Sequence, residues 1–144
     1  MDFLLPDEVA SGATLRGNEY GWAIASFLNA LAAAEQRGLA CVGGQFQFRT
    51  PNATCEMYWL AADSSDRLAD EPWADYVRRS CKEVADGFQH LINTTDFDTE
   101  ASRWTGIQLG AALRAALVFV AYFVTEQEFL ALGVAKQSSA LEAQ

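Results

Sequence analysis

The chain has 144 residues, of which 51% are hydrophobic and 20% charged, a composition typical of a globular domain and unlike that of a disordered chain. Nineteen acidic residues against ten lysines and arginines give a net charge of -9. This argues against nucleic-acid binding, because that activity depends on clustered basic side chains. The length is usual for one domain, and we interpret residues 1–134 as a single domain and 135–144 as a frayed tail.

Residues 1–8 lack the basic start and the apolar run of a secretory signal peptide, so we expect a cytoplasmic protein. Three cysteines, Cys41, Cys55 and Cys81, are an odd number whose spacing fits neither a disulfide framework nor a zinc site. We expect them to be reduced and mostly buried.

Two neighbouring segments predict a helix followed by a β-hairpin. Residues 22–37 carry apolar side chains at helical spacing together with a run of alanines, and Gly38 follows as a C-terminal cap. In residues 39–49 and 54–60, apolar and polar side chains instead alternate with a period of two, and a turn at 50–53 separates the two segments. That alternation is the pattern of an antiparallel hairpin.

The register of this hairpin follows from its apolar pattern, because paired residues share one face of a sheet. Three pairs place the apolar residues together: Phe48 with Cys55, Phe46 with Met57, and Gly44 with Trp59. The opposite face then carries five residues: Gln45, Gln47, Arg49, Glu56 and Tyr58.

The next segments predict a loop and an amphipathic helix. Residues 61–71 are polar and acidic, which is typical of a loop. Pro72 is suited to the first turn of a helix, and residues 72–93 show the clearest apolar stripe in the chain.

Residues 99–124 predict a third helix, with Glu100 in its first turn. Within it, residues 115–124 are apolar on every side, so a buried strand is the alternative there. Residues 126–132 add one or two helical turns. The predicted fold is α+β: an antiparallel hairpin, about 39–49 and 54–60, packed against three main helices at about 22–37, 72–93 and 99–124.

The apolar run at 107–124 is long enough to raise the question of a membrane span. Gln108 and Arg114 interrupt it and no basic segment flanks it, so we interpret it as a core helix and expect no membrane partner. The four tryptophans lie in apolar patterns and are expected to pack in the core: Trp22, Trp59, Trp73 and Trp104.

Catalytic chemistry finds little support in the sequence. His90 is the only histidine, which excludes a metal site with two histidines, and it lies too far along its helix from Cys81 for a direct hydrogen bond. Glu56 is the best-placed general acid or base, beside Arg49 and Tyr58, but no second carboxylate has a position fixed near it. We therefore predict no catalytic residue, no metal and no cofactor.

Two groups of carboxylates flank the helix predicted at 72–93. The first acidic group consists of Asp63, Asp66, Asp70, Glu71 and Asp75. The second acidic group consists of Asp96, Asp98 and Glu100. Both are candidates for contact with lysines and arginines of a protein partner, because complementary charge speeds encounter and fixes orientation.

The hairpin sequence carries a family resemblance. Its two runs, GLACVGGQFQFR at 38–49 and TCEMYWL at 54–60, resemble bacterial immunity proteins that accompany polymorphic or contact-dependent toxins. The resemblance implies a small cytosolic protein that binds one toxin domain tightly and is not an enzyme, and the acidity of this chain suits a basic toxin domain. Two alternatives stay open: a secretion or assembly chaperone, and a small enzyme that uses the face of Arg49, Glu56 and Tyr58.

Overall fold

The computed structural model describes residues 4–104 and 113–132. Its strands are β1 (Ala13–Arg16), β2 (Glu19–Ala23), β3 (Ala40–Arg49), β4 (Thr54–Asp63) and β5 (Leu117–Val124). Its helices are α1 (Asp7–Ala10), α2 (Phe27–Gln36), α3 (Trp73–Thr94), α4 (Phe97–Ser102), α5 (Leu113–Ala116) and α6 (126–132). The strands form one antiparallel sheet in the order β1-β2-β5-β3-β4, which confirms the α+β class.

The core lies between one face of this sheet and helices α2 and α3. Trp22, Phe46 and Phe119, from three different strands, are fully buried there. The Phe88 ring of α3 lies 5.6 Å from the Phe46 ring and 5.1 Å from the Phe119 ring, in the range of favourable aromatic pairs. This packing fixes α3 on one face of the sheet and leaves the opposite face to a different set of side chains.

Helix α3 confirms the predicted amphipathic helix almost to the residue. It begins at Trp73, directly after Pro72, and ends at Thr94. Its buried residues follow the helical period of the predicted apolar stripe: Tyr76, Val77, Ser80, Cys81, Val84 and Phe88.

The hairpin of β3 and β4 is also confirmed, but its register changes partway along. Phe48 pairs with Cys55 and Phe46 with Met57, as predicted, whereas the predicted pairing of Gly44 with Trp59 is wrong. Residues 58–60 form a bulge, so that Gly44 pairs with Ala62 instead. Strand β4 also continues to Asp63, so the first three residues of the predicted loop at 61–71 belong to the strand.

The predicted helix at 99–124 is wrong for residues 117–124, where the alternative, a buried strand, is confirmed: they form the central strand β5. Both faces of this strand are covered, and Phe119 and Val120 are each fully buried although they point to opposite faces. A strand buried on both faces has no apolar alternation, which is why its pattern resembled a core helix. Residues 105–112 of that prediction lie outside the described residues.

The N-terminal part of the fold differs from the prediction as well. The first main helix begins at Phe27 rather than residue 22, because Trp22 belongs to β2. The short hairpin of β1 and β2 was not predicted.

At the C-terminal end, the short helix predicted at 126–132 is confirmed, and the tail predicted at 135–144 lies outside the described residues. In residues 4–104 and 113–132, no helix has the length and apolar character to cross a membrane.

Candidate functional site

Edge strand β4 carries two large aromatic side chains that face solvent. The bulge turns Leu60 toward the core and leaves Tyr58 71% exposed and Trp59 44% exposed. Tyrosine and tryptophan are enriched at sites where proteins bind one another, since each offers a large rigid surface with one polar group. These two residues are the starting point of the candidate site.

Trp59 joins the edge of the sheet to α4. Its indole Nε1 donates a hydrogen bond to the Glu100 carboxylate at 3.2 Å, and its ring stacks on the Trp104 ring with centroids 6.4 Å apart. The Tyr58 ring stands edge-on to Trp59 at 5.2 Å. We call Tyr58, Trp59 and Trp104 the aromatic patch. Glu100 and Trp104 thus hold the Trp59 side chain in a defined orientation.

Carboxylates lie on the same two elements as the aromatic patch. Glu56 shares the outward face of β4 with Tyr58, Asp98 lies in the first turn of α4, and both are exposed. No basic nitrogen of a described residue lies within 4.0 Å of either carboxylate. Glu100, in contrast, pairs with Arg103 at 3.5 Å as well as with Trp59. Glu56 and Asp98 are therefore exposed carboxylates outside the ion pairs of the described residues.

Asp96, the remaining member of the second acidic group, has a structural role. Its carboxylate accepts hydrogen bonds from the backbone N–H groups of Asp98 and Thr99 at 3.1 and 3.2 Å, and so caps α4. A hydrogen bond from the Thr99 hydroxyl is the largest cause that lowers the pKa of Asp96, and the two backbone bonds lower it further. Asp96 thus fixes the helix that presents Asp98 and Glu100.

In the first acidic group, Glu71 is engaged inside the molecule. The Arg79 guanidinium donates to Glu71 at 2.7 and 2.8 Å and to Glu83 at 2.6 Å, and it also bonds the Asp66 carbonyl. The Glu71 side chain is only 9% exposed. The hydrogen bonds from Arg79 are the largest cause of its pKa of about 2. This ion-pair network ties the loop at 64–72 to α3.

The other members of the first acidic group face solvent. Asp75 forms an exposed ion pair with Arg78 at 3.5 Å. Three carboxylates have no ion-pair partner among the described residues: Asp63, Asp66 and Asp70. The first acidic group lies at the N-terminal half of α3 and the second follows its C-terminal end. A helix of 22 residues is about 33 Å long, so the two groups form separate surfaces.

The paired residues Gln47 and Glu56 share the outward face of the hairpin with Gln45 and Arg49, as predicted, but Arg49 does not form an ion pair with Glu56. Arg49 points away from β4, across β5 to the far strands, where its guanidinium donates to the Thr14 carbonyl at 2.7 Å and the Glu19 carbonyl at 3.0 Å. Its Nε donates to the Gln47 side chain at 2.9 Å. Burial is the main cause that lowers the pKa of Arg49. Arg49 is therefore a brace between strands, and it does not pair with Glu56.

A second arginine and a tyrosine strengthen the same face. Arg16 of β1 donates to the Thr50 carbonyl at 2.9 Å and to the Thr54 hydroxyl at 2.7 Å, so the two edges of the sheet approach each other over this face. The Tyr122 hydroxyl donates to the Glu19 carboxylate. Burial, followed by this hydrogen bond, raises the pKa of Tyr122. Gln47 is fully buried beneath these groups and Gln45 is half-buried.

The described residues hold no group of three or more metal-ligating side chains. His90 is exposed near the end of α3, while Cys81 of the same helix faces the core. Burial raises the pKa of the Cys81 thiol to about 11 and that of Cys41 as well, so neither thiol is an activated nucleophile. Among the described residues, the candidate site therefore consists of the aromatic patch and the exposed carboxylates.

Sequence reasoning missed the central member of this site. Trp59 was expected in the core because it follows Met57 and Cys55 with a period of two. Trp59 instead lies in the bulge, where the regular alternation ends, and it is 44% exposed. The segment has no turn residue from which the bulge could have been predicted. Trp22 is buried as predicted, whereas the prediction for Trp59 is wrong.

In comparisons with known proteins, no family model, no curated protein and no solved structure matches the chain. A functional assignment therefore rests on the chain's own residues.

Proposed function

We propose that this protein is a non-catalytic inhibitor of the immunity type, which binds a basic toxin domain and covers its active site. The aromatic patch supplies the anchor, and the carboxylates of the two acidic groups, with Glu56, supply the complementary charge. The observation that carries the proposal is the exposure of Tyr58 and Trp59 on an edge strand that also carries Glu56, a carboxylate with no ion-pair partner among the described residues.

The energetics of interfaces support this role for the aromatic patch. A few tyrosine, tryptophan and arginine side chains near the centre of an interface supply most of its binding energy, at about 2 kcal/mol or more each. Trp59 is held by Glu100 and Trp104 before binding, so little side-chain entropy is lost when a partner covers it.

The charge distribution supports a basic partner. The chain has a net charge of -9. Five carboxylates on two surfaces have no ion-pair partner in the described part of the chain: Glu56 and Asp98 on one, and Asp63, Asp66 and Asp70 on the other. Such carboxylates match the cationic surface by which an enzyme holds an anionic substrate, and toxin nucleases belong to that class of enzyme. The buried cysteines and the exposed, isolated His90 agree with a protein that acts by binding.

Affinity capture from a lysate of the source organism tests the proposal. The bait is the wild-type chain at low and at moderate salt, and the control bait carries Glu56→Lys and Asp98→Lys. We expect one basic protein in near-equimolar ratio on the wild type and its loss from the control, because reversed charges repel a cationic surface. An equal yield on both baits, or no retained protein, would contradict the proposal.

A further inference from the structure

The two edges of the sheet differ in how open they are to another strand. Edge strand β1 has only four residues, and its Arg16 reaches across to the turn between β3 and β4. Edge strand β4 has ten residues, and no described strand pairs with its second side. Short edge strands resist pairing with other chains, whereas long ones offer a row of free backbone donors and acceptors. Among residues 4–104 and 113–132, β4 is therefore the edge of the sheet with more unpaired backbone groups.

The sequence of β4 leaves most of that edge unprotected. Natural edges commonly carry lysine or proline, which oppose pairing, and residues 54–63 contain neither. Among the described residues, the protective features of β4 are the bulge at residues 58–60 and the hydrogen bond from Arg16 to the Thr54 hydroxyl at the start of the strand. The bulge limits regular pairing to residues 54–57 on one side and 61–63 on the other.

The side chains of residues 54–57 define the chemistry of a strand that would pair there. Thr54 and Glu56 are exposed on the outward face, while Cys55 and Met57 are buried on the core face. Side chains directly opposite each other on neighbouring strands lie about 5 Å apart. An added strand would therefore place a lysine or arginine beside Glu56 and apolar residues beside Cys55 and Met57.

A second copy of this chain is a poor occupant of the edge. Each copy carries a net charge of -9, and pairing of two β4 strands would bring two chains of the same sign together. The unpaired Glu56 instead favours a cation, which a basic partner supplies.

We propose that the β4 edge binds an extended segment of its partner, in which lysine or arginine alternates with apolar residues, by continuing the sheet. The inference deepens the proposed function and rests on it for the nature of the partner. The backbone of the added strand bonds to β4, Glu56 selects its basic residues, and the aromatic patch covers the position where the bulge ends regular pairing.

A peptide tests this without the natural partner. The probe alternates lysine with valine and is about as long as β4, and a control peptide has glutamate in place of lysine. Amide hydrogen exchange of the full chain is followed by NMR with and without each peptide. We expect the lysine peptide to bind and to slow alternate amides of residues 54–57 by about tenfold or more. The glutamate peptide should do neither.

The variant Glu56→Lys provides a second test. It should bind the glutamate peptide in preference to the lysine peptide, because the charge at position 56 is reversed. Absence of lysine-peptide binding, or binding without protection of the β4 amides, would overturn the inference. Its failure is distinct from failure of the proposed function: a captured basic partner with unprotected β4 amides refutes only strand addition. A positive peptide result without any captured partner refutes only the inhibitor role.

Discussion

At the scale of single residues, the acidic side chains of this protein fall into two kinds. Glu71 and Glu83 share Arg79, and Asp96 caps α4, so these carboxylates stabilise the fold. Glu56 and Asp98 have no such internal partner among the described residues. The sequence presents all of them alike, because the partner of Glu71 lies eight positions along the chain and is set only when the loop folds against α3. The number of acidic residues in the sequence therefore overstates the number of carboxylates that could contact a partner.

The substitution Glu71→Gln should make stability depend on pH in a defined direction. Folding lowers the pKa of Glu71 from 4.5 to about 2, chiefly through hydrogen bonds from Arg79. Its stabilising contribution is thus fully present above pH 4.5 and is lost as the pH falls toward 2. We expect the loss of unfolding free energy in Glu71→Gln to be large at neutral pH and smaller near pH 3, measured by urea denaturation.

The matched control is Asp70→Asn, which removes an exposed carboxylate of the same loop that has no ion pair among the described residues. It should change the free energy of unfolding little. If Glu71→Gln lowers stability equally at both pH values, the ion pair with Arg79 is not its cause.

At the scale of elements, prediction succeeded where one face of an element is buried and failed elsewhere. Helix α3 and the paired part of the hairpin alternate between core and solvent, so their apolar periods were informative. Strand β5 is covered on both faces and has no period, and its pairing with β3 depends on distant residues. A local signal for the hairpin of β1 and β2 did exist, since Gly17 and Asn18 form a two-residue connection between alternating segments.

The site was predictable only in part for the same reason. Glu56 and Tyr58 were placed on the outward face correctly, because regular pairing extends through Met57. Trp59 lies in the bulge and is exposed, which the apolar pattern did not predict. Arg49 bonds to residues of β1 and β2, a hairpin that was not predicted. Each of these outcomes depends on contacts between residues far apart in the chain.

Arg49 should matter for the cohesion of the sheet. Its planar guanidinium bonds the carbonyls of Thr14 and Glu19 and the side chain of the buried Gln47. Because Arg49→Met leaves those acceptors without a donor, we expect a loss of about 2 kcal/mol in the free energy of unfolding. Arg49→Lys should recover little of it, since a lysine has no planar fork.

Urea denaturation measures both variants, with Arg103→Met as the control for loss of an exposed arginine. Full stability in Arg49→Lys would show that charge alone suffices and that the brace does not depend on guanidinium geometry.

At the scale of the whole molecule, one large helix separates the two acidic groups, and the aromatic patch lies beside the second of them. A single partner is therefore expected to use the patch and the second acidic group as its main contact. The first acidic group adds to the long-range field of a chain with a net charge of -9, which speeds association and is screened by salt. The proposed function thus predicts that contact energy and long-range steering come from different surfaces of the protein.

The measurement that distinguishes the aromatic patch from the first acidic group as the main contact is the Kd of the captured partner for two matched double variants. Tyr58→Ala with Glu56→Gln removes one exposed apolar surface and one charge at the patch, and Leu68→Ala with Asp66→Asn removes the same kinds of group at the first acidic group. We expect the patch variant to bind at least about 30-fold more weakly, which corresponds to loss of an anchor of about 2 kcal/mol. The loop variant should stay within about threefold of the wild type. Equal losses, or a larger loss in the loop variant, would contradict the assignment of the aromatic patch as the partner-binding site.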